Sequence, residues 1–258
     1  PGGSGASERS LGAYLSSREI RRKVVVATKG AHPPVEGYRD RLDWMTAGCI
    51  RDDLNDSLAR LETDYVDLYW LHRDNPNVPV SEIIDILNAE VAAGRIRYFG
   101  GSNWRAERLR QANQWAKENG KMGFVASQPS WCLGWRPQFT NDQVAIDDSE
   151  RSAYEEMDDI AVIPYNSTGN GYFATAGKKG ASTYENTTSR ERLGRCVQLA
   201  NQIGATPNQV ALAWLMNQRS LTIPIIGTCD YDHLIDALGA KAVQLSPAQV
   251  DRLSQGRA

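Results

Sequence analysis

Short apolar runs, each ending on a polar tip, alternate along this chain with stretches of helical period. The clearest run is Val66-Asp67-Leu68-Tyr69-Trp70-Leu71, followed at once by His72-Arg73-Asp74. A run this short and this rich in β-favouring residues predicts a strand buried on both faces. Comparable runs at residues 23–28, 95–99, 123–127, 160–164 and 221–226 predict five more strands. Between them, Ile50, Leu54, Leu58 and Leu61 form one stripe of a helix over 46–61. Ser81 is read as the cap of a helix whose apolar side is Ile83, Ile84, Leu87 and Val91, with Gly94 as its stop. Further helices are predicted over 107–119, 150–157, 189–203 and 230–240, and one near the start with Ser7 as its cap. Thr206-Pro207-Asn208-Gln209 and Ser246-Pro247-Ala248-Gln249 both read as capping boxes with proline at the first helical position. Residues 1–5, the Pro33-Pro34 to Gly37 stretch, 134–149 and 169–188 read as loops.

The unit strand, polar tip, helix therefore recurs six times, which implies parallel pairing. The tips carry chemistry: Lys29, His72, Ser102-Asn103, Gln128, Tyr165 and Gly227. An open sheet gathers function at one switch point. A closed barrel brings every strand end to one mouth, and the even spread of polar tips favours it. The expectation is an α/β fold, a (β/α)8 TIM barrel with six of its eight strands in this chain. It would be one barrel domain over residues 1–258, incomplete at the N-terminus, with two strands upstream of Pro1.

Composition narrows the function. Over 258 residues the formal net charge is −2 and no long basic run occurs, which argues against a nucleic-acid partner. No stretch reaches the ~18 apolar residues of a membrane span. Residues 1–5 lack the charged and apolar regions of a signal peptide. The four cysteines and three histidines lack ligand spacing, so no metal site is expected. Free thiols fit a reducing, cytoplasmic setting.

Several motifs occur in an order that resembles the aldo-keto reductase family. They are Ser7-Glu8 with Leu11-Gly12, Thr28-Lys29, Asp67-Leu68-Tyr69 with His72 and Asp74, and Gly100-Gly101-Ser102-Asn103-Trp104. Gln128, Pro164-Tyr165-Asn166-Ser167 and Pro224-Ile225-Ile226-Gly227-Thr228 complete the set. The resemblance implies an eight-stranded barrel that transfers hydride reversibly between a nicotinamide, usually NADP, and a carbonyl. It implies Lys29 and His72 as catalytic residues, and a tyrosine and an aspartate lying upstream of Pro1. Tyr14 is no substitute, because it falls inside the helix beyond the motif. The substrate would be an aldehyde or ketone, a sugar or another small carbonyl.

The residue chemistry agrees. A carbonyl accepting hydride gathers negative charge on oxygen and needs a proton. A phenol with a pKa of ~10 donates poorly near neutrality, and a neighbouring lysine lowers that pKa. A histidine can hydrogen-bond the carbonyl oxygen. By resemblance, Ser102, Asn103 and Gln128 would hold the nicotinamide carboxamide, and Tyr165 would stack on the ring. Asn166, Ser167 and the turn from Gly169 would meet the pyrophosphate. Trp70, Trp104, Trp131 and Trp135 are candidates for an aromatic substrate wall.

One departure concerns the cofactor. After Gly227-Thr228 the family usually carries basic residues for the 2′-phosphate of NADP. Here Cys229-Asp230-Tyr231-Asp232 follows, and Asp236-Ala237 stands where an acid is usually followed by Asn. Asp232 or Asp236 could accept from a ribose hydroxyl, so NAD stands beside NADP as the expected cofactor. The alternative function is a nicotinamide-binding, non-catalytic regulatory or interaction module on the same scaffold.

Overall fold

The structure is a computed structural model in which residues 5–34, 42–136 and 143–256 are described. The loop positions at residues 1–4, Gly37 and residues 137–142 lie outside the described residues. The chain divides into two compact units, Pro1–Ala126 and Ser127–Ala258.

The first unit alternates helix and strand: α1 (Ala6–Arg18), β1 (Ala27–Gly30), α2 (Ala47–Leu61), β2 (Val66–Leu71), α3 (Val80–Ala92), β3 (Ile96–Ser102) and α4 (Ala106–Glu118). The strand read from Val66 is central. β1 pairs with it in parallel, Lys29 opposite Trp70, and β3 pairs on its other side, Trp70 opposite Gly100. The run is apolar because Val66, Tyr69 and Leu71 are fully buried. Asp67 breaks the run and is kept there by its partners. Its carboxylate accepts from the Val26 N–H at 2.9 Å, Arg21 Nη1 at 2.9 Å and Arg97 Nη1 at 2.8 Å. Burial raises its pKa, but the Val26 N–H and the two guanidinium charges outweigh that and hold the carboxyl below its usual range.

Gly12 lets α1 approach α2. A Cβ there would lie 2.7 Å from the Arg60 carbonyl oxygen and 2.9 Å from Leu61 Cα. Thr46 caps α2, accepting from the Cys49 N–H. Two capping expectations are corrected. Ser7 lies inside α1, whose cap is Gly5, and Ser81 lies inside α3, whose cap is Pro79. The first strand is regular only from Ala27, later than the expected start at residue 23; a 3-10 turn over Arg21–Lys23 lies just ahead of its apolar run.

The second unit carries β4 (Ala126–Gln128, beginning on the boundary residue), α5 (Asp148–Glu155), β5 (Ala161–Val162), α6 (Ala181–Tyr184), α7 (Thr187–Ile203), α8 (Pro207–Met216), α9 (Tyr231–Gly239) and α10 (Pro247–Ser254). β5 is only two residues long, although its neighbour bonds extend further, with the Ile163 N–H donating to the Ser127 carbonyl at 2.7 Å. The run at 221–226 is not a regular strand, yet it pairs in parallel. Val162 N–H donates to Leu221 O, and the Ile223 and Ile225 N–H groups donate to Val162 O and Pro164 O. Pro224 has no N–H to give, which limits regular pairing there. Both capping boxes form, at Thr206 and at Ser246. α8 is apolar nearly all round because it is covered; Val210 through Leu215 are all buried.

Candidate functional site

In the first unit the parallel register brings three strand ends level. Lys29 is opposite Trp70, Gly30 opposite Leu71, and Leu71 opposite Gly101. The chain leaves β2 with the His72 N–H donating to the Gly30 carbonyl at 2.8 Å, which seats His72 beside the end of β1. Glycines are forced here by packing. A Cβ on Gly100 would lie 2.4 Å from the Trp70 ring, and one on Gly30 would strike the Tyr69 hydroxyl. Lys29 has a pKa below the ordinary 10.5, first because burial penalises its charge and then because Arg73 is nearby. His72 meets the His32 ring edge to face, with centroids 4.6 Å apart. His32 Nδ1 lies 2.7 Å from the Pro33 carbonyl, an arrangement that places the proton on Nδ1.

Ser102 ends β3, Asn103 follows it, and both are buried. Asn103 has φ 58°, a left-handed conformation that asparagine tolerates, and its amide donates to Ser102 Oγ at 3.1 Å. Three of the four candidate substrate-wall tryptophans sit in the core, and Trp135 is partly exposed. Trp70 is 2% exposed, Trp104 0% and Trp131 6%. Trp104 packs on Phe124 at 4.8 Å, and Trp131 packs edge-on to Trp214 at 5.4 Å. Burial makes Trp70 and Trp104 packing residues, while Trp131 also lines a small cavity beside Trp135.

The second unit holds a cavity of about 440 Å³. Its wall includes Asn166, Ser167, Gly227, Thr228 and Asp236, five of the positions expected to bind cofactor. Two loops build it. In the first, Asn166 and Gly169 are both left-handed (φ 59° and 57°), the Gly169 N–H donates to Asn166 O, and Ser167 Oγ donates to Pro164 O. The second turns at Thr228, whose hydroxyl oxygen accepts from the Asp230 N–H, and Asp230 then caps α9 by accepting from the His233 N–H. That N–H leads in lowering the Asp230 carboxyl below its usual range; the charges of His233 and Lys179 and the Asp232 N–H add to it and outweigh the desolvation that raises it. Gly169 lies in the loop beside the cavity wall, Tyr165 is half-buried at its start, and Gln128 is buried at the end of β4. Asp232 is exposed in the first turn of α9 and is not part of the wall.

Sequence reading missed several residues of this wall, Lys179, His233 and Asn208 among them. Lys179 brings a cation from the loop read only as Gly-rich and flexible. The signal was there, in Lys178-Lys179-Gly180, with Gly180 left-handed at φ 71° and too close to the Gly169 carbonyl for a Cβ. His233 adds an imidazole, and Asn208 adds a buried amide from the first turn of α8. Inside a capping box Asn208 looks like a helix-start residue. Only its polarity on an otherwise apolar helix could have marked it.

Among the described residues no group of three or more His, Cys, Asp and Glu is placed to hold a metal ion. No described helix is long and apolar enough to cross a membrane.

Strand ends bearing a lysine and a histidine in one unit, and a two-loop polar cavity in the other, are the features that the motif order anticipates. The Aldo/keto reductase family profile matches residues 3–257, and the chain belongs to that family; its fold class is α/β, the family's (β/α)8 barrel. Among its relatives is norsolorinic acid reductase B of Dothistroma septosporum, 26% identical over 96% of this chain and 64% of that protein. An aldo-keto reductase of Alternaria alternata is 30% identical over 94% of this chain and 72% of its own length. A crystal structure of a thermostable aldo-keto reductase with the inhibitor epalrestat superposes with a TM-score of 0.70 at 22% identity. It covers 98% of this chain and 78% of the other.

Proposed function

We propose that the protein is a nicotinamide-dinucleotide-dependent oxidoreductase that reduces the carbonyl of a small aldehyde or ketone. The observation that carries this reading is the cavity walled by Asn166, Ser167, Gly227, Thr228 and Asp236, with Lys179 beside them. The donor set fits a dinucleotide. Left-handed loop turns expose backbone amides to phosphate oxygens, Lys179 supplies positive charge, and Asp236 accepts from a hydroxyl or an amine. Lys179 answers the acids after the last strand, so the reading covers NADP and NAD alike.

When bound, the nicotinamide supplies the hydride. His72 would donate a hydrogen bond to the carbonyl oxygen as its charge grows. Lys29 would favour ionisation of the family's tyrosine acid beside it and so tune that acid toward neutrality. Its own lowered pKa places its loss of charge below the ordinary lysine value of 10.5. Ser102, Asn103 and Gln128 would orient the carboxamide, and Tyr165 would support the ring. The domain reading, one barrel over residues 1–258, belongs to this proposal, as does a cytoplasmic setting. Beside the dinucleotide, its partner is a small carbonyl compound.

Titration with NADPH and NADH, followed by tryptophan fluorescence, tests the binding step. Oxidation of the bound form against a panel of aldehydes and ketones tests the chemistry. Lys29→Met should lower turnover about 100-fold or more while cofactor affinity changes by only a few-fold. In the parent protein the alkaline limb of turnover should fall below pH 10.5. Binding neither dinucleotide sinks the proposal. Binding without reduction of any carbonyl moves the protein to the non-catalytic, nicotinamide-binding reading.

A further inference from the structure

The turn after β1 sets a second imidazole against His72. Ala31 follows Gly30 with φ 56°, a left-handed conformation that a residue with a Cβ seldom adopts. It is fully buried and is held from α2, where Asp53 Oδ2 accepts from the Ala31 N–H at 2.8 Å. Pro33 and Pro34 restrict the chain on the other side. His32 lies between these constraints, and its ring is tied as well, with Nδ1 2.7 Å from the Pro33 carbonyl. Strained backbone that its surroundings over-determine collects at functional sites. The ring held in this way meets the His72 ring edge to face, with centroids 4.6 Å apart and planes at 79°.

The backbone of His72 is fixed too. Its N–H donates to the Gly30 carbonyl, and its own carbonyl accepts from Arg73 Nη1 at 2.8 Å and Asn103 Nδ2 at 3.4 Å. Those bonds set where the side chain starts. Its side-chain torsions still decide where a ring nitrogen points. An edge-to-face neighbour restrains them, because turning the ring either closes the gap or gives up the contact. Aim matters for a group that directs one N–H at a carbonyl oxygen, since a misplacement of about 1 Å can cost about 100-fold in rate. We propose that His32 is a positioning residue that holds the His72 ring in its hydrogen-bonding orientation. This rests on the oxidoreductase reading above, in which His72 meets the carbonyl.

Three variants of the full chain separate ring support from general packing. His32→Ala removes the ring, His32→Leu fills its space without an aromatic face, and His32→Phe keeps a ring that cannot titrate. Turnover of 4-nitrobenzaldehyde is followed with NADPH and with NADH, and dinucleotide affinity by fluorescence titration. His32→Ala and His32→Leu should each lower kcat about tenfold with affinity changed no more than about twofold, and His32→Phe should recover most of the loss. NMR relaxation on 13C-labelled histidine reads the order parameter of the His72 ring. It should be about 0.8 in the parent and in His32→Phe, and below about 0.6 in the other two variants. The chain has three histidines, so single replacements assign the signals. Unchanged kcat in His32→Ala and His32→Leu overturns the proposal. So does a loss that His32→Phe does not recover, or a His72 ring equally ordered in all four proteins. Should His32→Ala fail to fold, the His32→Leu and His32→Phe pair decides. If the parent turns over with neither dinucleotide, the oxidoreductase reading is at fault and ring order decides alone: loosening confined to His32→Ala and His32→Leu supports the positioning role, and equal order overturns it.

Discussion

Gly100→Ala and Gly194→Ala are the same chemical change with opposite expected signs. At Gly100 the new methyl would sit 2.4 and 2.5 Å from two carbons of the Trp70 ring and 2.8 Å from the Ala126 carbonyl oxygen. Neither neighbour yields easily. Trp70 is nearly fully buried between β1 and β3, and the Ala126 carbonyl is backbone at the start of β4. Overpacking a filled core costs about 3 kcal/mol at the upper end of its usual range. For a domain of this size that lowers the melting temperature by about 6–12 °C. Gly194 lies on the exposed side of α7, and a methyl there meets nothing within 4 Å. Alanine relieves the entropic penalty of a mid-helix glycine, stabilising by about 1 kcal/mol and raising the midpoint by about 2–4 °C. Differential scanning calorimetry on the parent and both variants reads the two shifts. A Gly100→Ala midpoint within about 2 °C of the parent would refute the steric argument. Such a result would also remove the reason given for glycines at the end of β3.

Three further outcomes are expected. Asp67 has a depressed pKa, so its contribution to stability is present above the unfolded value near 3.8 and is lost as pH falls through the folded value. Asp67→Asn should therefore be less stable than the parent in urea at about pH 7, with the gap narrowing at about pH 3; a gap that widens in acid contradicts this. Burial pushes the Cys132 and Cys196 thiols up to about 11 and about 12. A thiol reagent at neutral pH should label exposed Cys229 first and reach Cys132 and Cys196 only on unfolding, as peptide mass mapping would read. Asp230 caps α9 and turns the loop that walls the cavity, so Asp230→Ala should lower dinucleotide affinity; Asp230→Asn, which can still cap, should restore most of it.

The local sequence by itself determined the alternation of strands and helices, the two capping boxes and the polar residues at strand ends. Each depends on neighbours within a few positions: the apolar run of β2 before His72, the Thr206 hydroxyl three residues ahead of the Gln209 N–H. The ordered motifs also sufficed to place the chain in its family. Strand ends shifted, as in the run from residue 23 that is regular strand only from Ala27, and caps shifted where Gly5 and Pro79 displaced Ser7 and Ser81. Tertiary structure decided the rest, because it joins residues with no local relation. It moved Trp70, Trp104 and Trp131 into the core, since an aromatic side chain reads the same in sequence whether it lines a pocket or fills one. It selected Asp236 over Asp232 as the acid of the cavity wall. It also brought Lys179, Asn208 and His233 to that wall from a loop and two helices, a convergence that no spacing along the chain encodes.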